Sequence, residues 1–316
     1  MSHNTISIVF GGSSMIGTEL CDFLSLQDNK FFKSPADLIN QEEVISEFQN
    51  NIFHGYKYNI YMLAGYNGGI SFNREYPADI YYKTVMMNMN ILQQCCAYRE
   101  NINKVVTVLA SCSYPDFGET VLEEDMIEQG LPNETVECHG LAKRTILQYS
   151  RQLYKQYGMK IVNTILTNCY GPGDRFDVNR TKVVGAVVKK ICDAKFNDLK
   201  SVTFFGTGKP KREIMFCRDA AQALYDIGQT YDDFPNPVNI ASDQEISIRD
   251  LVSKVCSIVG YDGDIVWNTL YPDGQMRKKL STEKMKKYIN TNITPLEIGL
   301  TETIRYYMNI GRFLDK

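Results

Sequence analysis

The chain has 316 residues, 44% of them hydrophobic and 22% charged, with a formal net charge of −3. That length can bury a large core, as one α/β unit or two intimately joined lobes, and the scattered lysines form no basic stripe, so neither nucleic acid nor an anionic membrane is indicated as a partner. Nine cysteines without CxxC spacing and only three histidines (His3, His54, His139) leave no metal site expected and make reduced thiols the default.

The first apolar run, residues 6–10, is of strand type and follows Met1 with no charged leader and no apolar span of about 20 residues; a cytoplasmic location is expected. Gly11-Gly12-Ser13-Ser14-Met15-Ile16-Gly17 comes next, then an amphipathic stretch with Leu20, Phe23 and Leu24 on one side. Strand, glycine turn and helix aim free N–H groups at a phosphate, so Gly11, Ser14, Met15, Ile16 and Gly17 are candidates for holding a dinucleotide pyrophosphate. A glycine turn between any strand and helix reads similarly. After a second strand at 30–33 no Asp or Glu stands ready for a ribose 2′-hydroxyl, and Lys33 lies near that position. This leans toward NADP(H), with NAD(H) as the alternative and a plain surface lysine as the equal explanation.

Residues 58–63 read as a buried strand, followed by the glycine-rich loop 64–70, with Leu63, Ala64 and Gly65 placed beside the cofactor. A long helix is expected from 77 to about 99, then a β-branched strand at 105–109 that ends at Ala110-Ser111-Cys112. The alternation predicts an α/β fold, a Rossmann-type doubly wound parallel sheet with ligands at the carboxyl ends of its strands, joined to a smaller α/β substrate-binding lobe. Residues 160–166 read as the sixth strand, 168–172 as the turn into the second lobe, 183–195 as a helix and 202–205 as a strand. Ser247 with Asp250 and Thr294-Pro295 with Glu297 mark two late helix starts.

Several motifs fall in a telling order: residues 61–70 (YMLAGYNGGI), Tyr76-Pro77-Ala78-Asp79, Ser111-Cys112-Ser113-Tyr114-Pro115-Asp116, Thr167-Asn168-Cys169-Tyr170-Gly171-Pro172-Gly173-Asp174, Phe205-Gly206-Thr207-Gly208, Arg212-Glu213 and Pro272-Asp273-Gly274. Together they resemble the GDP-L-fucose synthase family, the epimerase/reductases of GDP-linked 4-keto sugars among the extended short-chain dehydrogenases/reductases, over essentially the whole chain. The resemblance implies NADP(H), a GDP-linked 4-keto sugar, and a homodimer built on the helices from 77 and from about 140 to 157. It implies a cofactor-binding domain over 1–166 with returning segments at about 214–242, and a mainly nucleotide-sugar-binding lobe over 167–316. This family usually carries GxxGxxG in the first turn, where Ser14 replaces the middle glycine; its Cβ and hydroxyl are expected where backbone otherwise approaches the pyrophosphate.

The family reduces with a Ser/Thr, a Tyr and a Lys, and epimerises with a Cys and a His. Lys143 matches the Lys, which also holds the nicotinamide ribose, and Cys112 matches the Cys. His139 stands at the Tyr position, Ala110 at the Ser position with Ser111 beside it, and Lys182 at the His position. On a strand Ser111 would point away from Ala110's side, making it a poor substitute unless the backbone kinks. The Lys143 ammonium, one helical turn from His139, is expected to keep the imidazole neutral near pH 7, so that it orients a carbonyl better than it protonates one; a filler histidine and a core-packed Cys112 are the bland alternatives. Lys182 serves as acid or base only if desolvated, and otherwise suits a phosphate. On the nucleotide side Lys189 and Lys190 of the helix at 183–195 could face a diphosphate, and the resemblance places Asn168, Phe205 (stacked on guanine), Arg212 and Lys278; the alternative for Arg212 is pairing with Glu213 or a neighbouring acid. The reading is a GDP-sugar enzyme working by C4 reduction and/or C3/C5 epimerisation with a modified centre; a catalytically impaired binding homologue and an epimerase without net reduction are the alternatives.

Overall fold

The computed structural model of the chain describes residues 5–27, 29–177, 180–271 and 273–314. His3, Asn179 and Pro272 lie outside the described residues. In chain order the strands are β1 (Thr5–Phe10), β2 (Phe31–Lys33), β3 (Lys57–Met62), β4 (Ile102–Ala110), β5 (Val121–Leu122), β6 (Ile161–Leu166), β7 (Asn168–Tyr170), β8 (Ser201–Phe205), β9 (Lys211–Phe216), β10 (Val238–Ile240), β11 (Glu245–Ser247), β12 (Asp264–Asn268) and β13 (Arg277–Leu280). The helices are α1 (Met15–Leu26), α2 (Gln41–Asn51), α3 (Ile70–Glu75), α4 (Pro77–Ala97), α5 (Glu137–Tyr157), α6 (Val183–Phe196), α7 (Cys217–Thr230), α8 (Ile248–Val259), α9 (Met285–Tyr288) and α10 (Leu296–Leu314).

Six strands form one parallel sheet in the order β10-β6-β4-β3-β1-β2. Both faces are covered, which is why its strands are nearly continuous apolar runs. Ile8 and Phe10 of β1 point into a core with Phe48, Ile91, Leu92, Ile146 and Leu147, whereas Val9 between them meets Leu20, Leu24, Leu224 and Ile227 on the opposite face. Helices α2, α4 and α5 therefore cover one face, and α1 and α7 the other. Chain direction across the sheet reverses between β1 and β3, and the crevice at their carboxyl ends is where an open parallel sheet takes its ligand.

A second sheet, β11-β9-β13-β5 with β7 beside β9, carries the substrate side, and β8 pairs with β12. Ser247 caps α8 as its sequence implies, accepting from Asp250 N at 3.0 Å. Thr294 does not cap α10; its hydroxyl donates to Asp219 Oδ1 at 2.6 Å, and Pro295 O takes the first helical N–H groups instead. Among the described residues no helix is long and apolar enough to cross a membrane.

Candidate active site

The crevice opens at the end of β1. Gly11 has φ +81°, and a Cβ there would stand 2.7 Å from Ala64 N, so the turn and the end of β3 touch backbone to backbone. A Cβ at Gly17 would collide with Gly11 O. Ser14 does not project from this cradle as its position suggests. Its hydroxyl folds down, donating to Gly11 O at 2.8 Å and accepting from Gly17 N at 3.2 Å, as the N-cap of α1. One helix-end N–H is thereby used, while Met15 and Ile16 supply N–H groups without intrahelical acceptors. Lys33 is exposed at the end of β2, its stem within 3.0 Å of a Cβ built on Gly12. Leu63 joins β3 to β1 through its N–H to Phe10 O at 2.9 Å. A cradle that a side chain would fill, free N–H groups at a helix start and a lysine beside them fit a dinucleotide.

The chemical centre lies one strand further on. Strand β4 ends at Ala110, and the backbone turns at once into a 3-10 helix over Ser111–Ser113, so strand alternation stops before Ser111. Ser111 is buried and makes no side-chain hydrogen bond among the described residues; Ser113 Oγ is buried without a partner. Burial pushes the Cys112 thiol up, with Lys278, Lys182 and Lys143 pulling it back in that order. Helix α5 begins at Glu137, which puts His139 and Lys143 one turn apart on its buried face, each 4% exposed.

His139 Nε2 lies 3.3 Å from Asn67 Nδ2, and Nδ1 is buried with no partner. The imidazole is held well below its ordinary range by burial first, then by Lys143 and Lys182. The sequence points to the lysine alone; loss of water is the larger cause. The ammonium of Lys143 faces Gly65, 3.9 Å from a Cβ built there, and makes no ion pair among the described residues. Burial brings it down to about 8, Cys112 opposing and Lys182 adding to the drop.

On the substrate side Lys182 is exposed and is the N-cap of α6, a place suited to holding an anion rather than to moving a proton. Lys189 is not brought to the cluster, because Asp193 at 2.8 Å and the Tyr307 hydroxyl at 3.2 Å hold its ammonium. Its neighbour Lys190 instead stands 5.1 and 5.3 Å from the ring centres of Phe204 and Phe205. Phe205 is 60% exposed and stacks on Tyr271 with centroids 4.1 Å apart, an aromatic platform at the mouth of the site.

Arg212 is lowered by burial, with Asp116 and Asp273 pulling it up, yet it has no ion pair among the described residues. Glu213 is not its partner: that buried carboxylate accepts the N–H groups of Asp243 and Leu280, each at 2.9 Å. Lys278 sits opposite Arg212 in the β9/β13 register, and burial lowers it too, with Cys112 the first group to oppose that. Asn168 donates to Glu213 O at 3.3 Å. Asn67 and Asp174 lie inside the quoted motifs but have no role assigned to them, and Tyr271 leaves no sign in the sequence; Asp174 Oδ2 is buried without a partner, and its carboxyl is pushed up to about 6 by burial against the pull of Lys182.

The chain has known relatives in sequence and fold. The sequence matches the NAD dependent epimerase/dehydratase family over residues 7–241. It is 32% identical over 304 residues to a GDP-L-fucose synthase of Sinorhizobium fredii, covering 95% of each chain. In fold it is similar to a GDP-L-fucose synthetase of Naegleria fowleri bound to NADP (TM-score 0.87, 22% identity, 99% of this chain and 96% of that one). It is likewise similar to a GDP-6-OMe-4-keto-L-xylo-heptose reductase of C. jejuni (TM-score 0.87, 23% identity, 98% and 99%). The chain belongs to the NAD dependent epimerase/dehydratase family and, within it, to the GDP-L-fucose synthases and their relatives.

Proposed function

We propose that this chain is an NADP(H)-dependent enzyme that reduces the C4 ketone of a GDP-linked sugar. The observation that carries the reading is the burial of His139 and Lys143 on one face of α5, with the Lys143 ammonium against Gly65 at the carboxyl end of the sheet. The relatives named for GDP-sugar synthesis and the neighbour named as NADP-bound support the substrate class and the cofactor. The turn around Gly11, Met15, Ile16 and Gly17 would hold the pyrophosphate, Lys33 the 2′-phosphate, and Lys143 the nicotinamide ribose. A bound NADPH supplies hydride.

The chain's own residues supply the rest. A neutral imidazole N–H polarises a carbonyl without giving up its proton, a role known for neutral histidine in other enzymes. Lys143, brought down to about 8, is still mostly protonated at pH 7 and is the nearby store of a transferable proton. Arg212 and Lys278 take the diphosphate, Lys182 lies at a helix start near it, and the ring of Phe205 takes the base. Epimerisation at C3 and C5 is the second reading. It rests on Cys112, which burial keeps as a thiol able to give a proton, while Lys182 rather than a histidine stands where the family's proton-removing partner is expected.

The deciding experiment incubates the purified protein with NADPH and GDP-4-keto-6-deoxymannose in deuterated water. NADPH consumption is expected. Deuterium uptake without NADPH loss would make it an epimerase, and tight GDP-sugar binding with neither would make it a binding protein. We further place the protein in the cytoplasm, supported by nine free cysteines. We propose a homodimer through the outer face of α4 and α5, where Tyr81, Tyr82 and Tyr154 are exposed while Ile146, Leu147 and Leu153 serve the chain's own core. A monomer at micromolar concentration by light scattering would remove that assembly.

A further inference from the structure

The contact that holds His139 comes from a loop with no evident business there. Asn67 lies between β3 and α3, and its side-chain Nδ2 reaches His139 Nε2 at 3.3 Å across 72 positions of sequence. Asn67 is itself held from the substrate side. Its carbonyl accepts from Arg180 Nε at 3.3 Å and Nη2 at 3.2 Å, and the same guanidinium packs 4.8 and 5.3 Å from the ring centres of Tyr66 and Phe72. A guanidinium from one side of the crevice thus fixes a loop on the other, and the loop fixes the imidazole.

An amide nitrogen can only donate, so Nε2 must accept, and the single proton of a neutral ring then resides on Nδ1. Nδ1 is buried and has no acceptor among the described residues. A buried N–H with no partner is an unfavourable arrangement that an entering acceptor relieves. We infer that Asn67 is a positioning residue: it fixes His139 as the Nδ1–H tautomer and so decides which ring nitrogen carries the proton, with Arg180 holding Asn67 in place. This rests on the reading of His139 as the group that polarises the ketone.

The test combines nitrogen NMR of the histidines with turnover. Only three histidines occur, and His139→Phe assigns the signal of interest. The wild-type ring should show the Nδ1–H tautomer. Asn67→Asp, nearly the same shape, offers only acceptors, so it should draw the proton to Nε2 and lower kcat roughly tenfold with little change in KM. Asn67→Leu should remove the bias and lower kcat similarly. An Nε2–H tautomer in the wild type overturns the inference, as does Asn67→Asp with unchanged kcat. Should the wild type turn over no GDP-sugar, the functional reading is what has failed, and the spectra of wild type and Asn67→Asp alone decide whether Asn67 sets the tautomer.

Discussion

Replacing Lys143 by Met should make this protein more stable and nearly inactive. The ammonium is 4% exposed and has no ion pair among the described residues, so the fold carries a buried charge without compensation. Its drop from the ordinary 10.5 to about 8, at about 1.4 kcal/mol per pH unit, means that burying the charged form costs about 3 kcal/mol. The folded value lies below the unfolded one. The penalty is therefore complete below pH 8, where both states carry the charge, fades between about 8 and 10.5, and vanishes above 10.5, where both are neutral. Methionine keeps the stem and drops the charge. In urea unfolding at pH 7 Lys143→Met should be more stable by up to about 3 kcal/mol, and the gap should close as the pH is raised toward 10. Turnover of a GDP-4-keto sugar should fall by about two orders of magnitude or more. A variant less stable at pH 7, or a gap that ignores pH, would show that the ammonium has a partner in the fold and that the charge excess argued here is wrong.

Three further outcomes follow from the same geometry. His139→Phe should abolish turnover while His139→Tyr retains or raises it; full activity in the Phe variant refutes the role of the imidazole. Gly17→Ala drives a methyl into Gly11 O, so the turn must open and NADPH should bind at least about tenfold more weakly by fluorescence titration; an unchanged Kd refutes the cradle. Phe205→Ala removes a ring that is 60% exposed and so spares the core; loss of about 1 kcal/mol of stacking should raise KM for the GDP-sugar about fivefold with kcat kept, and a changed kcat with constant KM speaks against the platform.

The parallel sheet was readable because burial on both faces forces apolar runs such as Ile8-Val9-Phe10, and glycine turns and motif order are local marks. Contacts that join distant residues left no such mark. Helix α5 starts three residues before the glycine that seemed to open it, because Val136 caps it without a side-chain bond and nothing in the sequence announces the start. Lys189 and Lys190 look equivalent by spacing; Tyr307, more than a hundred residues on, takes the first, and the ring of Phe205 faces the second. The expected cap at Thr294 is drawn off by Asp219 in the same way. The pairing of Asn67 with His139 combines a loop residue and a helix residue that no periodicity relates.

The altered residues act on one another through charge. A tyrosine at position 139 could ionise and give Lys143 a negative neighbour, whereas histidine is neutral or positive and never supplies one. With His139 in place, no anion offsets the burial of Lys143, and burial first, with Lys182 adding and Cys112 opposing, brings it down to about 8. On the function proposed above, the acid moves one helical turn, from position 139 to position 143, and the ring is left with polarisation alone. Arg212 and Lys278 add two more lowered cations without ion pairs at the same edge of the second sheet. An anion bound at this edge would offset such an excess, and the diphosphate of a GDP-sugar carries that charge. Binding should then raise the pKa of Lys143, so that the ammonium, already mostly protonated at pH 7, is fully protonated when hydride arrives and is recharged from water after its proton has gone to the C4 oxygen.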